Sequence, residues 1–306
     1  MTAMSELPIH FFIGKGGVGK STTSALTAVH LAATGRRTLL VSMDPAHNQC
    51  DIFGMRFSGK SRPVAPNLAV REIDTEYWIR RYLKETRNHL KRTYAYQSAF
   101  NLQDHFNVLQ YAPGLEEYAL LLAFEDVIQA AGGQDAIVFD MAPTALSLRF
   151  FSLPSISLVW LDELLKLRGA ICDKKEIISK IKMGACEFET DRVRKKLDEL
   201  IASHTRLKSR FMSTSTHVNL VLNNDRLSLS EARRIERRLA GIDIPISRIV
   251  VNKMGPEETP DDIAEIFPTE RLSMLPLVPG GILGLEGLEQ VVAGNAGALC
   301  SIAEGC

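Results

Sequence analysis

A chain of 306 residues with 45% apolar, 24% charged and 7% aromatic content has a globular composition, which excludes a disordered tail or a fibre and leaves room for one large α/β domain or two smaller ones. Thirty-six lysines and arginines balance thirty-six aspartates and glutamates, so no net field draws the chain to nucleic acid or anionic lipid, and any such contact is confined to a local patch. The five cysteines, Cys50, Cys172, Cys186, Cys300 and Cys306, form no C-x-x-C pair; neither a disulfide framework nor zinc is expected, and the cytoplasm is the expected compartment. The first ten residues lack basic and apolar leader regions, and no run of about 18 uncharged apolar residues is visible, so neither secretion nor direct membrane insertion is expected. With so little net charge, electrostatic protection against self-association is weak.

Ile9 to Ile13 is a mostly apolar run that stops at glycine, and Ser21 to Ala33 carries Ala25, Leu26, Val29, Ala32 and Ala33 at helical spacing before Gly35, which predicts strand, loop, helix. Further buried strands are predicted over 38–41, 106–109, 136–139, 218–222, 249–251 and 272–275. Seven strands separated mostly by helical stretches imply an α/β fold: a mainly parallel sheet with helices on both faces. Two stretches interrupt the alternation. Thr75 to Tyr96 sets Ile79, Leu83, Leu90 and Tyr94 among arginines and lysines, and Leu161 to Met212 includes an amphipathic run through Val193, Leu197, Leu200, Ile201 and Leu207. Both exceed the few residues that usually join strand to helix, and each has an apolar stripe for the other to cover.

Gly14-Lys15-Gly16-Gly17-Val18-Gly19-Lys20-Ser21 fits G-x-x-x-x-G-K-[ST] and stands between a predicted strand and a predicted helix, the context the motif needs. The glycines let the loop wrap so that N–H groups from Gly14 to Thr22 face phosphate oxygens, aided by the positive end of the helix. Lys20 reaches the β- and γ-phosphates, and the Ser21 hydroxyl ligates Mg²⁺. Carboxylates follow the strands flanking this loop, at Asp44 and Asp140, where they lie near the metal and the attacking water. Asn252-Lys253 is similar to the start of the guanine motif N-K-x-D, but Gly255 holds the aspartate position, so ATP is favoured over GTP.

The extra lysine, Lys15, cannot easily aim at the same phosphates as Lys20, and here the chain resembles a known group. GKGGVGKST resembles the deviant P-loop of the nitrogenase iron protein, septum-positioning and arsenite-pump ATPase class; the resemblance implies a homodimer in which Lys15 crosses to the partner's nucleotide. Ser42 to Asp51 and Asp140 to Arg149 resemble the two switch signatures of the arsenite-pump and tail-anchored-protein-targeting ATPases. On that resemblance Asp44 orients or deprotonates the hydrolytic water, Asp140 supports Mg²⁺ through a water, His47 is a hydrogen-bonding switch residue, Asn252 meets the adenine edge, and Leu275 to Glu286, with Pro279, closes the adenine pocket. Ala145-Leu146 stands where the family signature has Gly-His, so a stiffer loop without the histidine's polar contact is expected there. Pro113 to Glu117 resembles the family's segment leading from sheet to helices. The implied organisation is a single P-loop ATPase domain over 1–306, with a helical subdomain from insertions at approximately 72–106, 115–131 and 155–215.

Three roles stay open. In the first, helical subdomains of a homodimer form an apolar groove for a transmembrane helix. In the second, the chain is the ATPase subunit of a metalloid efflux pump working with a membrane partner, with Cys172 and Cys186 as candidate thiols for arsenite. The third is a partition or septum-positioning switch, disfavoured because 287–306 contain no lysine or arginine and so no basic membrane-binding helix. An iron-sulfur reductase is disfavoured because it needs cysteines that pair across the dimer axis near the switches. A zinc clasp is absent from the expected dimer, since Cys300 and Cys306 are spaced too far apart for that motif.

Overall fold

Every residue of β1, Ile9–Ile13, is buried, and a strand hidden on both faces belongs in the middle of a parallel sheet. In the computed structural model, which describes residues 7–93, 112, 114–183 and 192–304, β1 pairs in parallel with β5 (Ala136–Asp140) on one side and β6 (Thr216–Asn223) on the other. Beyond β5 lie β2 (Thr38–Ser42) and β4 (Leu68–Glu72), with β3 (Arg62–Ala65) at the edge. Beyond β6 lie β7 (Arg248–Met254) and β8 (Leu272–Pro276). The eight-stranded order is β3-β4-β2-β5-β1-β6-β7-β8, and only β3 and β4 pair antiparallel.

The helices among the described residues are α1 (Lys20–Ala33), α2 (Asn48–Phe53), α3 (Thr75–Thr93), α4 (Leu115–Ala130), α5 (Thr144–Met183), α6 (Arg192–Phe211), α7 (Arg226–Ala240), α8 (Asp261–Ala264), α9 (Gly284–Gly294) and α10 (Ala296–Glu304). Alternation along β1 separates two cores, because successive side chains leave a strand on opposite faces. Phe12 joins Leu40, Val138, Leu31 of α1, Leu288 of α9 and Leu299 of α10 in one cluster. Phe11 points the other way and stacks on Phe139 with centroids 5.1 Å apart, and Phe124 of α4 closes on both rings at 5.8 and 5.3 Å. Helices therefore cover both faces, as the α/β alternation predicts.

One strand assignment changes. The strand predicted over 106–109 lies outside the described residues, and the sheet gains instead the β3–β4 hairpin, turned at Pro66-Asn67 with Asn67 at φ 61. β3 carries Pro63 and is half-exposed or exposed throughout, which suits only an edge.

By its contacts the chain divides into two compact units, with boundaries after Phe150 and before Thr214. Of the three insertions assigned to a helical subdomain, the third makes a unit of its own, whereas α3 and α4 group with the sheet. Within Phe151–Ser213, Phe151 meets the Phe211 ring edge-on at 5.2 Å, and Leu161 and Leu207 are buried. Residues 144–173 pass a length-and-composition test for crossing a bilayer, although Arg149 and Asp162 interrupt the run and no stretch of 18 uncharged apolar residues occurs in it. The start of that window is core, with Leu148 and Phe150 buried.

Candidate nucleotide site

Parallel strands deliver their C-terminal ends to one edge of the sheet, and ligand sites form there. β1 runs out at Ile13 into Gly14, where a Cβ would stand 2.3 Å from the Val221 carbonyl oxygen of β6. Gly19, at φ +96, would bring a Cβ to 2.2 Å from Asn252 Nδ2. The loop is thus pressed against β6 and β7, and glycine alone supplies both the closeness and the left-handed backbone at Gly19. Two side chains at the end of β7 fasten it: Asn252 Nδ2 donates to the Val18 carbonyl at 2.8 Å, and Lys253 Nζ donates to the Gly17 carbonyl at 2.8 Å. Gly16 and Gly17 remain exposed and Lys15 half-buried. α1 starts immediately after the loop, so its unpaired first-turn N–H groups and positive dipole end face the same space.

Lys20 is buried and donates from Nζ to the Lys15 carbonyl at 3.3 Å. Burial lowers its pKa, while the charges of Asp140 and Asp44 draw it back up. Ser21 and Thr22 are half-buried beside it. Asp140 ends β5 opposite Ser42 and Phe12 and is wholly buried. Burial pushes its carboxyl up to about 6, against the opposing hydrogen bonds from Ser21 and Gln49 and the charge of Lys20. Its Oδ2 accepts from Gln49 Nε2 at 3.0 Å, whereas its Oδ1 is buried with no partner. An orphaned carboxylate oxygen next to a serine hydroxyl is a hard-oxygen donor set that fits Mg²⁺. Asp44, also buried, accepts at Oδ1 from the Ala46 N–H at 3.0 Å, and the neighbouring Met43 N–H donates to the Asp140 carbonyl at 2.8 Å. That bond ties the two carboxylate-bearing segments together.

The turn from Asp44 into α2 carries His47 at φ 51. Glu72, buried at the end of β4, holds this turn: His47 Nδ1 lies 3.5 Å from Oε2, the Cys50 thiol donates to Oε2 at 3.0 Å and the Cys50 N–H to Oε1 at 3.2 Å. Burial first, and then the Glu72 hydrogen bond and charge, push the Cys50 thiol up, which disfavours the thiolate a soft metalloid needs. Gln49, fully buried, donates to the Ser21 carbonyl at 3.0 Å as well as to Asp140, and Asn48 Nδ2 donates to Ser21 Oγ at 3.3 Å. After β7 and β8 a concavity of about 480 Å³ is lined mostly by apolar residues, among them Met254, Pro256, Leu275, Leu277 and Pro279, with Glu258 the one charged group, walls suited to a heterocyclic base.

The structure therefore gathers Gly14 to Thr22, Asp44, Asp140 and Asn252 at one sheet edge, with Pro279 on the adjoining concavity. Asn252 serves first as a brace of the loop. Gln49, Glu72 and Lys253 belong to the same constellation; the first two were not singled out from the sequence, and Lys253 stood there only within the N-K-x-D comparison. Glu72 had no signal because its strand was not recognised, whereas Gln49 lies inside the Ser42 to Asp51 motif.

A glycine-rich loop joining a parallel strand to a helix, flanked by carboxylates at the ends of two neighbouring strands, defines a P-loop nucleoside triphosphatase. Residues 7–294 match the family described as anion-transporting ATPase. The chain belongs to that family and is an ATPase. It is similar to the Aquifex aeolicus (strain VF5) protein named "Putative arsenical pump-driving ATPase 2", 30% identical over 258 residues that cover 83% of this chain and 82% of that protein. It is also similar to the ATPase get3 of Schizosaccharomyces japonicus, 29% identical over 302 residues with coverage of 91% and 89%. A third relative, an ATPase ASNA1 homolog of Entamoeba histolytica, is 28% identical over 253 residues, covering 80% and 76%.

Proposed function

We propose that this ATPase acts in the cytoplasm as a homodimer and couples ATP turnover to the capture of an apolar helix, such as a client's transmembrane segment, by the unit Phe151–Ser213. The observation that carries this reading is the surface of α5. Phe151, Pro154 and Leu161 are buried, yet the exposed side carries Ile156, Val159, Trp160, Leu167 and Ile171, with Val159 at 70% and Trp160 at 66% exposure. Helices of water-soluble proteins ordinarily turn polar residues outward, and an exposed apolar stripe marks a site of interaction. Charge accompanies the stripe: Glu163 falls on its line between Trp160 and Leu167, and beside it Lys166 bridges Asp162 at 2.6 Å and Glu163 at 2.9 Å, so an apolar helix would meet one ion-paired site along an otherwise apolar face.

At the nucleotide, the backbone from Gly14 to Thr22 and the Lys20 ammonium hold the phosphates, and Asn252 and Pro279 stand by the base. Ser21 and Asp140 are the residues to hold Mg²⁺, which when bound neutralises phosphate oxygens. Asp44, buried and fixed by the Ala46 N–H, orients the attacking water. Lys15 reaches the partner's nucleotide. A second reading, an arsenite- or antimonite-activated subunit of an efflux pump, draws on the printed name of the Aquifex relative and on Cys172 in α5; Cys186 lies outside the described residues.

The two readings part in one experiment. Trp78 is buried and Trp160 exposed, and these are the chain's two tryptophans, so emission that shifts to the blue on adding a synthetic transmembrane peptide reports on α5. With Asp44→Asn, expected to keep ATP without hydrolysing it, the complex should persist. Val159→Asp with Leu167→Asp should weaken capture by about tenfold or more and leave the basal ATPase rate unchanged. If no ATP-dependent complex forms, while arsenite raises the ATPase rate and Cys172→Ser abolishes the rise, the pump reading replaces the first.

A further inference from the structure

The balanced charge of the chain conceals several basic helices, α3, α6 and α7, and α7 is the one whose basic residues are all arginines, most of them gathered at a concavity. α7 contains five arginines against two glutamates. Arg226, Arg233 and Arg237 fall at i, i+7 and i+11, on one helical face, with Arg234 alongside. They surround a concavity of about 300 Å³ floored by Leu229 and Ile266. All four guanidinium groups are exposed. Arg234 has a loose contact with Glu231 at 3.6 Å, and among the described residues Arg226, Arg233 and Arg237 form no ion pair. The helix needs none of them to hold its place, because Ser228, Leu229, Ala232, Ile235 and Leu239 are its buried face and Asp225 caps it by accepting from the Ser228 N–H at 2.8 Å.

We infer that this groove on α7 binds an acidic peptide segment of a partner protein, with carboxylates on the arginines and an aliphatic side chain on Leu229 and Ile266. Three features select that ligand. Arginine, present at all four positions, is the side chain whose planar fork grips carboxylates in pairs. The apolar floor would be wasted on a bare phosphate chain, and no aromatic ring stands in the lining on which a nucleobase would stack. A lipid surface is less suited, because most of the apolar side of α7 is buried in the fold and Leu227 is the one large apolar side chain of the helix left exposed. The groove also has a defined place in the molecule: β6 runs parallel to β1 and ends at Asn223, and α7 begins soon after it at Arg226, so the Arg226 end of the groove lies toward the sheet edge that carries the phosphate loop.

The test is fluorescence anisotropy of a short fluorescein-labelled peptide of glutamates interspersed with leucine, titrated with the full chain. Saturable binding should weaken as salt rises. Arg233→Glu with Arg237→Glu should reduce affinity by about tenfold or more. Arg233→Lys with Arg237→Lys keeps the charge and the favourable helix end but removes the fork, and should give an intermediate loss of about threefold. Thermal unfolding of each variant checks that the helix is intact. Unchanged affinity in the charge-reversed variant overturns the proposal, as does equal affinity in the lysine and wild-type proteins. So does displacement of the peptide by phosphatidylserine vesicles or a single-stranded oligonucleotide at lower charge concentration, which would mean a general polyanion surface.

Discussion

His10 shows how a single side chain in a β-sheet core makes stability depend on pH. It sits second in β1, stacked on His217 at 4.9 Å, with both ring nitrogens buried and without partners. Burial, and then the neighbouring His217 and Arg36 charges, lower its pKa from 6.5 to about 3. An unfolded chain takes up the proton near 6.5, whereas the folded chain refuses it until about 3. The unfolded state thus binds more protons throughout that window, and the stability present above 6.5 is lost as pH falls toward 3. His10→Phe, which keeps a ring of similar size, should be more stable than wild type at about pH 5 and flatten the acid limb, with each unit of pKa depression equivalent to about 1.4 kcal/mol. Urea midpoints at about pH 5 and about pH 7.5 measure it, and an acid limb unchanged by the substitution would refute the assignment. At the same scale, the chemistry-bearing loop could be read from residue types alone, because glycine, lysine and serine at fixed spacing have few other uses. The groups that fasten it could not. Lys253 grips the Gly17 carbonyl and Gln49 grips Asp140, and neither bond exists until strands distant in sequence are placed side by side.

Elements divide by how much of their burial is local. β1, β2 and β5 are buried at every position and read as mostly apolar runs, with His10 inside β1 and polar residues otherwise only at strand ends. β4 alternates buried and half-buried residues and ends in Arg71 and Glu72, and β3 contains a proline, so the hairpin has no such run to announce it. Glu72 is paid for by the turn it holds, through Cys50 and His47, a partnership invisible in one dimension. α5 sharpens a different point. Ala145-Leu146, where the family signature has Gly-His, lies in the first turn of a helix that already begins at Thr144, with the Leu146 N–H donating to the Pro143 carbonyl at 3.1 Å. Alanine and leucine are strong helix formers and glycine a weak one, which suits a helix that starts as early as Thr144. α4 was expected in a separate helical layer, but its Phe124 lies among Phe11, Phe139 and Phe150 at 5.3 to 5.8 Å. Phe124→Ala should therefore destabilise the sheet unit by about 3–5 kcal/mol, lowering the chemical-denaturation midpoint. A loss below about 1 kcal/mol would mean that α4 is not part of the sheet core.

At the scale of the molecule, a balanced charge and a second lysine in the phosphate loop bear on the same question, whether one chain is a whole enzyme. Lys20 is buried, donates to the Lys15 carbonyl within its own loop and feels the charges of Asp140 and Asp44, while Lys15 is half-buried beside the exposed Gly16 and Gly17. A side chain on that solvent-facing turn can reach outward from its own loop. In a two-fold dimer each surface patch meets its own copy, and two loops brought face to face would offer each Lys15 to the opposite nucleotide. Lys15→Ala and Lys20→Ala should each abolish turnover when alone. Mixed in equal amounts and allowed to exchange, they form heterodimers in which the Lys15→Ala chain keeps its own Lys20 and receives Lys15 from its partner, while the other site has neither. Half the dimers are then mixed with one good site of two, so the mixture should recover about a quarter of the wild-type rate, a fraction set by symmetry and random pairing. No recovery, with exchange shown by cross-linking, would place Lys15 in its own site; recovery well above that fraction would mean that one complete site carries more than half the rate of a dimer.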